Sequence, residues 1–268
     1  MSSMKEAIFS RRSVRTFNDQ KLSEEMIREL KEFSASLTNP FGNEIRFVFL
    51  EDSSLSSAVP VINEAPLFVC CVAKKGADSE EAAGFEFEKF CLKAVSMGLG
   101  TVIIGGTMKR EEFESRCSMS SDEYMPVMTP VGFPAKPSVR ERMMRRGVRA
   151  DSRKEKIELF FDQDLLHPLT MESADLSEAL EAVRKGPSAV NKQPWRIIYR
   201  DTVCWFYKTV SRRYTSEETG DMQKVDLGIA LCHFVTVLDE NAILYDYIFE
   251  DPQIAGTEDL AFVCGVRV

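Results

Sequence analysis

A chain that spells the same succession of elements twice has few folds open to it: two similar units in tandem, each needing its apolar faces covered. In this 268-residue sequence, NEIRFVFLED (43–52) aligns with QPWRIIYRD (193–201), and MTPVGFPA (128–135) aligns with AFVCGVRV (261–268). Few positions are identical, yet the order holds throughout, and the second copy is shorter by one long loop. Duplication explains this, as would two α+β halves that merely share an order of elements.

The first copy opens with KEAIFSRRSV, a short helical pattern that breaks at its arginines. LSEEMIRELKEFSASL then carries Leu22, Met26, Leu30 and Phe33 at helical spacing, with Ser23 as helix start and Glu24 and Glu25 suited to the N-terminal dipole. IRFVFLED and the wholly apolar APLFVCCVAKK read as strands, the second one buried. EFEKFCLKAVSMGLG reads as a helix closed at Gly98 or Gly100, and TVII and PVMTPVGFPA read as strands around Gly105 and Gly106. From Ala174 the order returns: helix ADLSEALEAVRKG, strands WRIIYRD and VCWFYKT, helix VDLGIALCHFVTVLDENAIL running into a strand, and strand LAFVCGVRV.

Composition narrows the functions. The net charge of −8 argues against nucleic acid as the main partner. No apolar run reaches the length of a membrane span and no signal-peptide pattern begins the chain, so a cytoplasmic protein is expected. Seven cysteines without C-x-x-C spacing read as reduced core thiols. His167 and His233 stand far apart without ligand spacing, so no metal site is expected. Motifs of hydrolases, P-loop proteins and Rossmann dinucleotide sites are missing.

Two stretches carry chemistry. SRRSVRTF (10–17) sets Arg11, Arg12 and Arg15 around Ser13, three guanidinium forks and a hydroxyl suited to a phosphate monoester, although an exposed basic turn would read the same way. GPSAVNKQPW (186–195) ends a helix in Ser, Asn and Gln side chains that could line a ligand. Between the copies, AKPSVRERMMRRGVRADSRKEKIELFF is the one basic region; it reads as a solvated linker and helix, or as a source of cations for a phosphate.

Taken together, these stretches resemble the FMN-dependent nitroreductase family, through R-x-S-x-R at 11–15 and P-S-x-x-N-x-Q-P-W at 187–195, with CLKAVSMGLGTVIIGG, VGFPA and RADSRK adding similarity over nearly the whole chain. The resemblance implies an α+β nitroreductase-like fold, here as two tandem halves, 1–160 and 161–268, forming an intramolecular pseudo-dimer. In that family one subunit supplies the Arg segment and its partner the Asn-Gln segment. In this chain each half keeps the motif that the other has lost: 36–46 reads SLTNPFGNEIR, and the second half starts LLHPLTMESADLSEAL. One FMN per chain, between the halves, is therefore expected, and a monomer with it.

Residue by residue, the resemblance implies Arg11, Arg12, Ser13 and Arg15 at the phosphate and ribityl chain, with Arg149 or Arg153 as a late cation. Gly105 and Gly106 would admit the flavin ring to the backbone. Pro187, Ser188, Asn191 and Gln193 would bound it from the second half, with Trp195 in the core behind. The implied activity is NAD(P)H oxidation, with NADH or NADPH passing hydride to flavin N5 and then, by ping-pong, to a small acceptor such as a nitroaromatic or quinone. A non-catalytic flavin-binding or sensing protein on the same fold is the alternative, and a duplicate with both sites decayed is a third. The loops 51–64 and 211–224 are candidate lids.

Overall fold

The computed structural model describes residues 2–170, 173–211 and 214–268. Its first half carries α1 (Met4–Ser10), α2 (Glu24–Ala35), β1 (Ile45–Leu50), β2 (Leu67–Lys74), α3 (Ser79–Ser96), β3 (Gly100–Thr101), α4 (Arg110–Glu114) and β4 (Glu123–Gly132). The linker forms α5 (Val139–Gly147) and β5 (Phe160–Asp162). The second half carries α6 (Ala174–Lys185), β6 (Trp195–Arg200), β7 (Val203–Thr209), the two-residue strands β8 (Thr215–Ser216) and β9 (Gly220–Asp221), α7 (Met222–Glu240), β10 (Asp246–Ile248) and β11 (Leu260–Arg267).

The duplication is visible in topology. One sheet has the order β1-β2-β4-β3 and the other β6-β7-β11-β10, antiparallel throughout these strands. The halves differ at one edge: β5, the end of the linker, adds to β6 in parallel, and among the described residues no strand adds to β1 in the same way. A parallel neighbour requires a crossover between distant segments, which the linker provides.

Local chemistry explains most element ends. Ser3 and Glu6 form a reciprocal capping box on α1, Ser23 caps α2 through the Met26 N–H, and Ser173 caps α6 through the Leu176 N–H. α3 closes on Gly98 at φ +82°, a conformation that costs glycine nothing. α3 begins at Ser79, before the stretch that the sequence marks as helical. Its first turns include Gly84, weak helix formation on its own, but they are held by α7.

α3 and α7 form the centre. α7 is buried on every side from Val225 to Leu238 and is apolar there except at Asp226, His233 and Thr236, as a helix covered all round largely must be. Leu67, Val69 and Cys71 of β2 pack with Phe87, Phe90 and Ala94 of α3 on one side, and Ile197, Phe206 and Cys264 pack with Leu231, Phe234 and Val235 of α7 on the other. Each fully buried aromatic or aliphatic side chain of this kind contributes about 1.5–3 kcal/mol by leaving water. The contact between the helices is reciprocal: a Cβ on Gly84 would meet the Val225 carbonyl oxygen at 2.1 Å, and one on Gly228 would meet the Glu81 carbonyl oxygen at 2.0 Å. Both partner residues stand three places before the glycine of their own helix, so a local two-fold relates the halves.

The expected strand TVII is cut short. Gly100 and Thr101 form the short ladder with β4; Val14 donates its N–H to the Thr101 carbonyl, and Val102 turns its own N–H to the Thr129 hydroxyl before Ile104 rejoins β4 by a single bridge at Met128. The N-terminal segment has taken the edge that a longer strand would need. Trp195 is fully buried, as are all seven cysteines. Among the described residues no helix is long and apolar enough to cross a membrane.

Candidate flavin site

α1 ends at Arg11, whose backbone turns extended at φ −63°, ψ 144° and sends the side chain inward. The guanidinium is 4 % exposed, its Nε lies 3.2 Å from Glu88 Oε1, and its buried Nε and Nη2 hydrogens have no acceptor. Ser13 bridges to Thr101 at the end of β3, which ties the segment to the first sheet. Arg15 also buries its Nε without an acceptor, and burial, then Arg145, lowers its pKa against the opposing pull of Glu141. Arg12 differs: its side chain is 41 % exposed and lies 3.7 Å from Glu141 Oε1. Glu141 is buried and accepts from the Thr16 hydroxyl at 2.8 Å, so it anchors this turn to α5.

The late basic segment reaches the same place. Arg153 Nη1 donates to Asn191 Oδ1 at 3.0 Å and Nη2 to the Lys185 carbonyl at the end of α6, while Nε is buried with no acceptor. Its pKa is lowered by burial first and by the nearby charge of Arg11 second. Arg149 is exposed and contributes its backbone: its carbonyl accepts from Asn191 Nδ2 at 2.7 Å. Of the two candidate late cations, Arg153 is the one whose guanidinium enters the cluster. Arg145 joins it, bonded to Asp151, close enough to depress both Arg15 and Arg153.

The segment after α6 is strained. Gly186 follows Val183 so closely that a Cβ would sit 2.9 Å from the Val183 carbonyl. After Pro187, Val190, Asn191 and Gln193 all adopt positive φ, at 44°, 58° and 50°. A β-branched residue in that region costs on the order of 1–3 kcal/mol, and such strain persists only where surroundings enforce it. Here Asp226 accepts from the Ala189 N–H at 2.9 Å, Ser188 Oγ accepts from the Gln193 N–H at 2.9 Å, and Gln193 Oε1 accepts from the Lys154 N–H at 2.9 Å. Burial pushes the Asp226 carboxyl well above its ordinary range.

α7 connects this turn to the glycine pair. Met222 and Asp226 are four residues apart on its first turns and share a face. Asp226 holds Ala189, and Met222 lies against Gly105, where a Cβ would meet its sulfur at 2.8 Å. The free space over Gly105 is thus already used by Met222, while Gly106 is exposed with nothing within 4 Å of a Cβ position. Arg110 fixes the turn by donating to the Gly105 carbonyl at 2.8 Å and also to the Met125 and Glu218 carbonyls. Of the two candidate lids, 53–58 forms a 3-10 turn capped by Asp52. In the other, Glu218 is tied through Arg110, while Arg212 and Arg213 lie outside the described residues.

The structure therefore brings Arg11, Arg153 and Asn191 together, sets Arg145 near both Arg153 and Arg15, lets Gln193 and Ser188 shape the turn, and leaves Arg12 and the Arg149 side chain at the surface. Sequence reading missed Glu88, Glu141, Arg145, Asp226 and His233. The one available signal was a carboxylate or imidazole on the apolar face of a helix, which burial obliges to find a partner. Arg11, Arg15 and Arg153 each bury an Nε without an acceptor, Arg11 repels Arg153, and Arg145 repels both Arg153 and Arg15; such unmet, crowded donors suit a polyanionic oxygen group. The phosphate of FMN has that chemistry, and the residues present fit it.

The two-sheet α+β body, with its repeated topology, has the nitroreductase fold. The chain belongs to the family described as "Putative TM nitroreductase", an oxidoreductase family whose model matches residues 3–237. A "putative nitroreductase" from Thermotoga maritima shares the fold at 20% identity, with 99% of this chain and 93% of that one covered and a TM-score of 0.62. An FMN-dependent nitroreductase from Clostridium difficile is similar at 16% identity over 49% of this chain and 88% of that one, with a TM-score of 0.43. A nitroreductase family protein from Clostridium novyi is similar at 15% identity over 50% and 87%, again at 0.43. No curated protein sequence matches the chain.

Proposed function

We propose that the protein is an FMN-dependent NAD(P)H oxidoreductase with one flavin per chain, held between a half ending near residue 160 and a half beginning near 161. The observation that carries this reading is Arg11 of the first half beside Arg153, which is bonded to Asn191 of the second, with Arg145 near both Arg153 and Arg15 and buried N–H groups left over. Structural neighbours described as FMN-dependent and as NAD(P)H nitroreductases agree with it in name.

In this reading Arg11, Arg15 and Arg153 hold the phosphate, Ser13 and Asn191 flank the ribityl chain, and Gly106 leaves backbone open to the ring. Bound FMN would supply two-electron chemistry, hydride from NADH or NADPH being passed in a second half-reaction to a small nitroaromatic or quinone. The protein binds and orients; no side chain is assigned a proton transfer. Asp226 preserves the strained turn and thereby the placement of Asn191.

The second pseudo-symmetric position is closed in this reading. Phe41 stands four residues before β1 as Asn191 stands four before β6. Phe41 packs edge-on at 5.7 Å against Phe249, the residue after β10, which in turn stacks at 6.2 Å on Tyr247 within β10, the counterpart of β3. The cavity there, of about 480 Å³, is lined by Glu44, Glu86 and Glu123 beside Arg46, a poor setting for a phosphate.

The test is to add FMN to purified protein, remove the excess and quantify flavin per chain, then to follow its anaerobic reduction by NADH and NADPH. A ratio near one with reduction faster than that of free FMN supports the proposal. Binding without acceleration favours the non-catalytic flavin protein, and a ratio near zero rejects both.

A further inference from the structure

We propose that Glu88 and His233 are a buried positioning pair that sets Arg11 for the phosphate and ties it to the opposite half; this rests on the flavin reading above. His233 lies on α7 and Glu88 on α3, both with fully buried side chains. His233 Nδ1 is 2.8 Å from the Ala182 carbonyl oxygen at the end of α6. A carbonyl only accepts, so Nδ1 carries the hydrogen and Nε2 faces Glu88 Oε1 at 2.8 Å.

Glu88 Oε1 also lies 3.2 Å from Arg11 Nε. A guanidinium buried without a counter-charge would be costly, and Arg153 nearby makes it costlier. Glu88 offsets this on the Nε side alone, so Nη2 stays buried, unpaired and available to a ligand oxygen. At the other end, His233 packs beneath the second-half motif: a Cβ on Gly186 would lie 3.7 Å from Nδ1. The chain of contacts from Arg11 through Glu88 and His233 to Ala182 thus joins the two motifs that build the site.

The local two-fold supplies an independent argument. The pairing of Gly84 with Gly228 places Cys232 at the position of Glu88, four residues on, and Lys89 at the position of His233, five on. The second side has neither carboxylate nor imidazole there. The pair occurs where the Arg segment occurs.

The experiment measures dissociation constants for FMN and for riboflavin, which lacks the phosphate, by flavin fluorescence. It compares the wild type with Glu88→Gln, His233→Gln, Arg11→Gln and the double variant Arg11→Gln with Glu88→Gln. The wild type should prefer FMN. Glu88→Gln and His233→Gln should each shrink that preference by about tenfold, as loss of a charge-assisted contact to the phosphate does. Glu88→Gln should add nothing once Arg11 is gone. Equal weakening of FMN and riboflavin, an unchanged preference, or a full effect in the Arg11→Gln background would each overturn the proposal. So would failure of both single variants to fold, since that assigns the pair to the core. If the wild type binds neither flavin, the flavin reading itself falls and takes this inference with it.

Discussion

Gly84 of α3 and Gly228 of α7 face each other across the molecular centre, each leaving room for a backbone carbonyl of the other helix. Gly84→Ala or Gly228→Ala would force the helices apart and disturb the packing of both sheets. Each substitution should cost about 2–3 kcal/mol, seen as a lower denaturant midpoint with little change in slope. An unchanged midpoint would show that the crossing tolerates a methyl group and that the close approach is incidental.

The arginines should separate by burial. Arg153→Ala removes a buried guanidinium bonded to Asn191 and should weaken FMN binding tenfold or more, about 1.4 kcal/mol. Arg12→Ala, at an exposed position beside Glu141, should change it by less than about threefold, in line with weak surface ion pairs. Fluorescence titration of both variants decides, and the reverse order would mean that the cluster is misassigned.

Because the surface shared by two units is internal here, the protein should elute from calibrated size exclusion at the mass of one chain and bind one FMN. Phe41→Ala should leave that ratio at one, since the arginine lining that cavity, Arg46, is already paired with Glu123. A ratio of two, in the wild type or the variant, would show that the aromatic side also binds flavin.

Stability should fall as pH rises from about 5 to 8. Burial raises the carboxyl groups of Glu81 and Glu86 from the ordinary 4.5 to about 7. The folded state therefore holds their protons more tightly than the unfolded chain. That contribution is complete below 4.5 and is lost as pH climbs through 7, on the order of 1 kcal/mol for each group. Thermal melts of Glu86→Gln at pH 5.5 and 8 should show a smaller difference than the wild type. An equal or larger difference would place the dependence elsewhere.

Much of this was written in local sequence. Ser23 caps α2 as its hydroxyl and the following glutamates indicate, PLFVCCVA is a buried strand, and the repeated order of elements reappears as two sheets of matching topology. These features depend on neighbours a few residues away or on periodicity, both legible in one dimension. Arg11 and Arg15 were marked by type and spacing, and so were Ser188, Asn191 and Gln193.

What the sequence by itself determined is therefore the kind of unit, its duplication and the residue types of a phosphate site. Only the tertiary structure decided which of the candidate cations turn inward. Arg12 and Arg15 are three residues apart and alike on paper, but packing against α5 exposes one and buries the other. The start of α3 at Ser79, the shortened β3 and the Glu88–His233 contact were equally unreadable. Each is fixed by a partner more than a hundred residues away or by an edge taken by another segment. Such energies belong to pairs of surfaces, and no local pattern of residues encodes them.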